Sequence, residues 1–205
     1  YYIGVNKIWL IVGGIFSALE PLAFLAMALF AVYMYRKGEK SHPNKIALFW
    51  TIGASIVSFV GAGLLGFAHT LPQTNIYTHG TLVTAMHGHY AFWGAYAMIV
   101  LAIISYALPN LTGRKRYNNT SGHMAFWFSN VGMLGMTVAF GVAGVAQVYL
   151  ERKMKLDFMD VQNEIAIHFV VLLVCATLFT TGITLFIIEF IKYGKPTDEA
   201  LIKVE

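Results

Sequence analysis

Three histidines, His79, His87 and His89, stand where a polar segment gives way to a long apolar run. A helix turns about 100° per residue, so His87 and His89 leave one rod roughly 200° apart, on opposite sides. Two ligands for a single zinc would stand at i and i+4 on one face. An i, i+2 pair instead serves two separate centres, one on each flank. Porphyrin irons suit that arrangement, because one imidazole is an axial ligand to each. A histidine between membrane helices can also act only as a hydrogen-bonding link. Two on opposite faces weigh against that reading, as does Gly88 between them, which lets a flat macrocycle approach the backbone. Tyr90, Phe92, Trp93 and Tyr96 add aromatic walls. His79, eight residues before His87, reads as two turns further up the same helix, placed either to hydrogen-bond a heme propionate or to face water.

Glu20 is the second outlier, in Phe16-Ser17-Ala18-Leu19-Glu20-Pro21-Leu22, about three turns into an apolar helix. An ionised carboxylate there costs several kcal/mol unless it is paired, protonated or bound to a metal. Pro21 removes a helical hydrogen bond and predicts a kink that opens room for a site. A hard carboxylate suits non-heme iron better than Cu(I). The alternative is a neutral, hydrogen-bonded glutamic acid.

The elements that must position these groups are membrane helices. Of 205 residues 58% are hydrophobic and 12% charged, and the mean hydropathy is +0.64, too apolar for an ordinary soluble domain. Five runs are long enough to cross a hydrocarbon core, roughly 8–35, 46–69, 80–108, 124–150 and 164–191. The alternation of barrel strands is missing, so an all-α integral membrane protein is expected, with residues 1–205 forming one transmembrane domain. Arg36, Lys37, Lys40, Lys45, Arg114, Lys115, Arg116, Lys192, Lys195 and Lys203 fall on one side, against Lys7, Arg152, Lys153 and Lys155 on the other. The first side is read as cytoplasmic, with the amino end of this segment outside and the carboxyl terminus inside. The net charge of +4 then reflects topology, and the lipid bilayer rather than nucleic acid is the expected partner. A lone Cys175 excludes a disulfide framework.

Between the runs, Pro43 marks a turn, Thr70 to Thr78 reads as a short outer loop, and Pro109 is expected to close the third helix. Gly61, Gly63 and Gly66 in the second helix, and Gly132, Gly135, Gly141 and Gly144 in the fourth, read as packing seams. His42, His69, His123 and His168 carry no functional assignment, and Glu151, Glu164 and Glu189 are expected to reach water near helix ends. Tyr1-Tyr2-Ile3-Gly4-Val5 carries neither an initiator methionine nor a signal peptide, which suggests the later part of something longer, with further helices upstream or in a partner.

The third helix, from Thr78-His79-Gly80-Thr81 through His87-Gly88-His89 to Ser105-Tyr106-Ala107-Leu108-Pro109, resembles the large catalytic subunit of bacterial respiratory nitric oxide reductases, within the heme-copper oxidase superfamily. Phe16 to Leu22, His42-Pro43-Asn44 and the segment Gly61 to Leu71 resemble it too. The resemblance implies a twelve-helix bundle of which these are the last five helices. It implies that His87 is the proximal ligand of a high-spin heme b3, that His89 is an axial ligand of a low-spin heme b, and that Glu20 binds or adjoins a non-heme iron facing the high-spin heme. The remaining iron ligands would lie in helices outside this sequence. The implied reaction joins two nitric oxide molecules with two electrons and two protons into nitrous oxide and water, in the bacterial inner membrane. A cytochrome c subunit or quinol would be the electron donor. The rival readings are an oxygen-reducing oxidase with copper in place of the iron, a non-catalytic diheme cytochrome, and a colourless transporter with midplane histidines.

Overall fold

Lipid offers no hydrogen bonds to a free backbone, so uncharged runs of this length satisfy their peptide groups internally. The computed structural model describes residues 6–38, 44–113 and 120–193. The Tyr1 to Val5 segment, the Pro43 turn with Lys40 and His42, the cluster Arg114, Lys115 and Arg116, and the tail with Lys195 and Lys203 lie outside them. Among the described residues five helices are long and apolar enough to cross a membrane: Ile11–Lys37, Lys45–Thr70, Leu82–Leu111, Thr120–Lys153 and Ala166–Lys192, here the first to fifth spans. Their order and positions agree with the runs expected from composition.

Three boundaries differ from expectation. The segment after the second span is not a loop but a short helix, Pro72–Thr78, whose proline sits in the first turn, where a missing N–H is harmless. His79 caps that helix, Gly80 follows with φ +74°, and Thr81 opens the third span as its N-cap by accepting from the Val83 amide. Gly80 therefore breaks the rod, and His79 does not stand two turns above His87 on a shared helix. The second difference is Pro109, which lies inside the third span instead of ending it. Proline leaves the carbonyl four residues back without its helical donor. That carbonyl belongs to Ser105, and the Asn44 side chain donates to it at 2.7 Å across the interface between the second and third spans. The third difference is a set of wide, π-type turns at Phe59–Leu64, Trp93–Ala97 and Tyr149–Lys153.

The expected break in the first span is present. Regular helix runs over Lys7–Ser17, is interrupted at Ala18 and Leu19, and resumes over Glu20–Lys37 with Pro21 in its first turn.

Glycines set the distances between spans. A side chain at Gly61 would run into the backbone of Tyr90 and Ala91, and one at Gly94 into Val57 and Ser58, so the second and third spans touch backbone to backbone. The fourth span divides its seam. Gly132 and Gly135 face Cys175 and Phe179 of the fifth span, whereas Gly141 and Gly144 face Met86 and Val83 of the third. At the centre Trp50 is fully buried, with the rings of Trp93, Phe126 and Phe186 edge-on around it. The first span packs mainly on the second and leaves Trp9, Phe16, Leu22 and Phe30 exposed, apolar surface that needs a bilayer or further helices. Glu189, expected to reach water, is instead buried beside Ser105 and Gly122.

Asn44 does two jobs: its Oδ1 caps the second span at the Ala47 amide, and its Nδ2 serves the Ser105 carbonyl. Asn44→Asp keeps the first and loses the second. We predict a destabilisation of about 1–3 kcal/mol for Asn44→Asp, the cost of an unserved buried carbonyl, read by thermal unfolding of the detergent-purified assembly. Asn44→Ala, which also removes the cap, adds about 1 kcal/mol to that loss.

Candidate functional site

The third span carries His87 and His89 within its first two turns, and the two rings leave it in different directions. His87 turns toward the second span. Its Nδ1 donates to the Gly61 carbonyl at 2.9 Å, and its ring is half-buried. His89 turns toward the fourth span, where its ring lies 4.9 Å from that of Phe140 and is exposed within this chain. Its Nδ1 donates to the Ala85 carbonyl at 2.8 Å. A backbone carbonyl only accepts, so both rings carry their proton on Nδ1 and leave the Nε2 lone pair for a metal. Gly88, between them, has open space where a side chain would project.

The Gly61 carbonyl is available because of the wide turn around it. In a regular helix the Leu65 amide would bond to Gly61, four residues back. Here it donates to Val60, five residues back. The glycine also permits the close approach that brings the two spans together.

Glu20 reaches the same neighbourhood from the first span. A methyl group at Gly66 would stand 3.3 Å from His87 Cε1, and 3.9 Å from both His87 Nε2 and Glu20 Oε2. Gly63, one turn earlier, faces Pro21. The break before Pro21 and the glycines of the second span thus let the carboxylate of the first span and the imidazole of the third both approach Gly66. Among the described residues no three His, Cys, Asp or Glu side chains are grouped to hold a metal ion.

His79 lies apart, exposed beyond Gly80. Two residues without a functional assignment from sequence belong to the site. Gly66 is the point on which Glu20 and His87 converge, so it is more than packing. His69 stacks on His87, ring centroids 4.9 Å apart and planes 25° apart. The one signal in the sequence is His69's place three residues after Gly66, a spacing that puts both on one side of a helix. Nothing in sequence links it to His87, eighteen residues away and in another span. Two other histidines behave as packing groups: His123 meets Phe49 edge-on, and His168 Nδ1 donates to Ile165.

The third span is held in register at both ends of its polar entry. Thr81 and Thr84 both donate to the Thr78 carbonyl, at 2.7 and 3.0 Å. The Leu82 amide donates to Gln147 Oε1 of the fourth span at 2.9 Å, and Gln147 Nε2 donates to Glu151 at 2.8 Å.

Comparison with known proteins bears on the family of the chain. The family described as Cytochrome C and Quinol oxidase polypeptide I matches residues 1–178. The chain is 41% identical over 203 residues to a nitric oxide reductase subunit from Stutzerimonas stutzeri, an alignment that covers 95% of this chain and 43% of that relative. The chain thus spans less than half the length of the curated relative it matches.

Gly66→Val would press two methyl groups against the His87 ring. We predict overpacking of about 1–3 kcal/mol together with a turned His87 imidazole. Were His87 and His89 each to hold a chromophore, the absorption of the first would change in the purified assembly and that of the second would not.

Proposed function

The chain belongs to the cytochrome c and quinol oxidase polypeptide I family, and from that premise we propose that it forms part of the catalytic core of a nitric oxide reductase. The observation that carries this reading is the convergence of the Glu20 carboxylate and the His87 imidazole at Gly66, while His89 leaves the same helix on another flank. A carboxylate beside a histidine whose Nε2 is free suits an iron centre facing a heme, and a hard oxygen donor favours iron over copper. The 41% identity to a nitric oxide reductase subunit supports the same assignment.

The donor set fits the groups this reading requires. His87 Nε2 would hold a high-spin heme b3, His89 Nε2 a low-spin heme b, and Glu20 would bind or adjoin a non-heme iron whose other ligands come from the remaining helices of the catalytic subunit. Bound together, these groups would supply the reduction of two nitric oxide molecules by two electrons and two protons to nitrous oxide and water. The Gly61 carbonyl fixes the His87 tautomer and the direction of Nε2, as metal-bound histidines require. The Ala85 carbonyl does the same for His89. Glu20 Oε2 can hold a proton next to the centre or give it up. His79, exposed beyond Gly80, would either donate to a heme propionate or face water.

The ten-to-four distribution of Lys and Arg supports an orientation with the histidine end of the spans on the outer side and the carboxyl terminus in the cytoplasm, and the likeness to a bacterial relative supports a bacterial inner membrane. Electrons would arrive from a cytochrome c subunit or from quinol.

Metal analysis of the complete enzyme is expected to find iron beyond that of the two hemes and no copper, with nitric oxide consumed as nitrous oxide appears. Copper in place of that iron would point to an oxygen-reducing enzyme, and hemes without nitric oxide turnover would refute the reading. His87→Ala should remove the high-spin heme signal alone, and His89→Ala the low-spin signal. Glu20→Gln should lower turnover by about a hundredfold with both heme spectra retained.

A further inference from the structure

His69 is the histidine that touches His87, and the reaction proposed for this centre gives it no part. Its ring lies nearly parallel to that of His87, planes 25° apart and centroids 4.9 Å apart, so face meets face. One bond holds the ring and a second holds the backbone that carries it. His69 Nδ1 donates to the Leu65 carbonyl at 2.9 Å, and the Asn75 side chain, from the short helix after the second span, donates to the His69 carbonyl at 2.7 Å. His69 Nε2 is buried and meets no donor or acceptor among the described residues.

The Gly61 carbonyl restrains one atom of the His87 ring, Nδ1. One hydrogen bond still lets the imidazole rock about its Cβ–Cγ bond, because χ2 of histidine is a broad torsion with no sharp staggered minimum. A flat partner against the ring face opposes that rotation, and His69 is such a partner. The plane of the imidazole decides how its Nε2 lone pair meets a metal, and loss of a group that orients a ligand in this way typically costs about 10–100-fold in metal affinity or activity.

We propose that His69 is a positioning residue: its ring, tied to the Leu65 carbonyl on a backbone that Asn75 braces, sets the plane of His87 and thereby the orientation of the ligand presented to a high-spin heme. The proposal rests on His87 being a heme ligand. What matters is the ring face and not the imidazole nitrogens.

The test uses the complete, heme-loaded enzyme with His69→Ala, His69→Phe and, as a control, His87→Ala. The readout is the iron–histidine stretching band of the reduced high-spin heme by resonance Raman, beside the low-spin heme spectrum as a measure of intact assembly. His69→Ala is expected to shift or broaden that band and to lower turnover about tenfold, while His69→Phe, which keeps a flat ring, retains both. An unchanged band in His69→Ala would overturn the proposal. So would a His69→Phe enzyme as damaged as His69→Ala, because the nitrogens would then be what counts. Should His87→Ala keep its high-spin heme, the ligand assignment itself has failed, an outcome distinct from failure of the stacking role.

Discussion

The contact between the second and third spans at Gly61 is the constraint on which the rest of the site depends. Two things must be true of that residue at once. It must lack a side chain, because the backbone of Tyr90 and Ala91 fills the space a Cβ would take. Its carbonyl must also be spared by its own helix, which the wide turn accomplishes by sending the Leu65 amide to Val60. A regular helix with alanine at position 61 would hold the third span further off and keep its carbonyl engaged. The hydrogen bond to His87 Nδ1 would then be lost, and with it a defined direction for Nε2. Wide turns of this kind occur often at functional sites, and here the reason is the carbonyl they release.

The same accounting explains the polar residues elsewhere in the bundle. In an apolar surrounding each freed backbone group needs a partner, and each polar side chain needs somewhere to point. Asn44 serves the carbonyl that Pro109 strands, and Gln147 serves an amide in the first turn of the third span, where no helical partner exists. Trp93 Nε1 donates to Asn130 Oδ1 at 3.2 Å, a further link between the third and fourth spans. Thr177, Thr180, Thr181 and Thr184 of the fifth span return their hydroxyls to carbonyls four residues back, so that exposed face makes no demand on a neighbour. These bonds between spans converge on the third one, the helix that carries both candidate ligands.

What can be read from sequence follows the range of the interactions involved. The five spans are legible because hydropathy over about 20 residues decides membrane insertion without help from tertiary structure. The divergence of His87 and His89 is legible because helical geometry alone sets it. The kink at Glu20 is legible from Pro21. What escapes a reading of the sequence depends on a partner distant in the chain, or on a backbone conformation that residue type leaves open. Pro109 reads as the end of its helix, since no local feature announces that Asn44 will satisfy the stranded carbonyl. His79 reads as part of the third span because Gly80 in an αL conformation looks no different in sequence from a glycine inside a span. The role of His69 depends on the third span crossing the second at one particular height, which glycine packing sets and no periodicity reveals.

Glu20 and His87 could have been brought together by a single helix, at i and i+4. Three spans do it here, and the difference has a physical consequence. A pair on one rod keeps its separation whatever the neighbours do, whereas a pair meeting across Gly66 depends on the kink at Pro21, on the glycine and on the crossing at Gly61. The arrangement is weaker in isolation. Yet it leaves the carboxylate free to approach from the side, instead of competing with that imidazole for the same face of one helix. That carboxylate stands on a span that packs mainly against one neighbour and leaves its other side exposed within this chain. The chain therefore brings the imidazoles to defined orientations by its own packing, whereas the carboxylate sits on its least covered span.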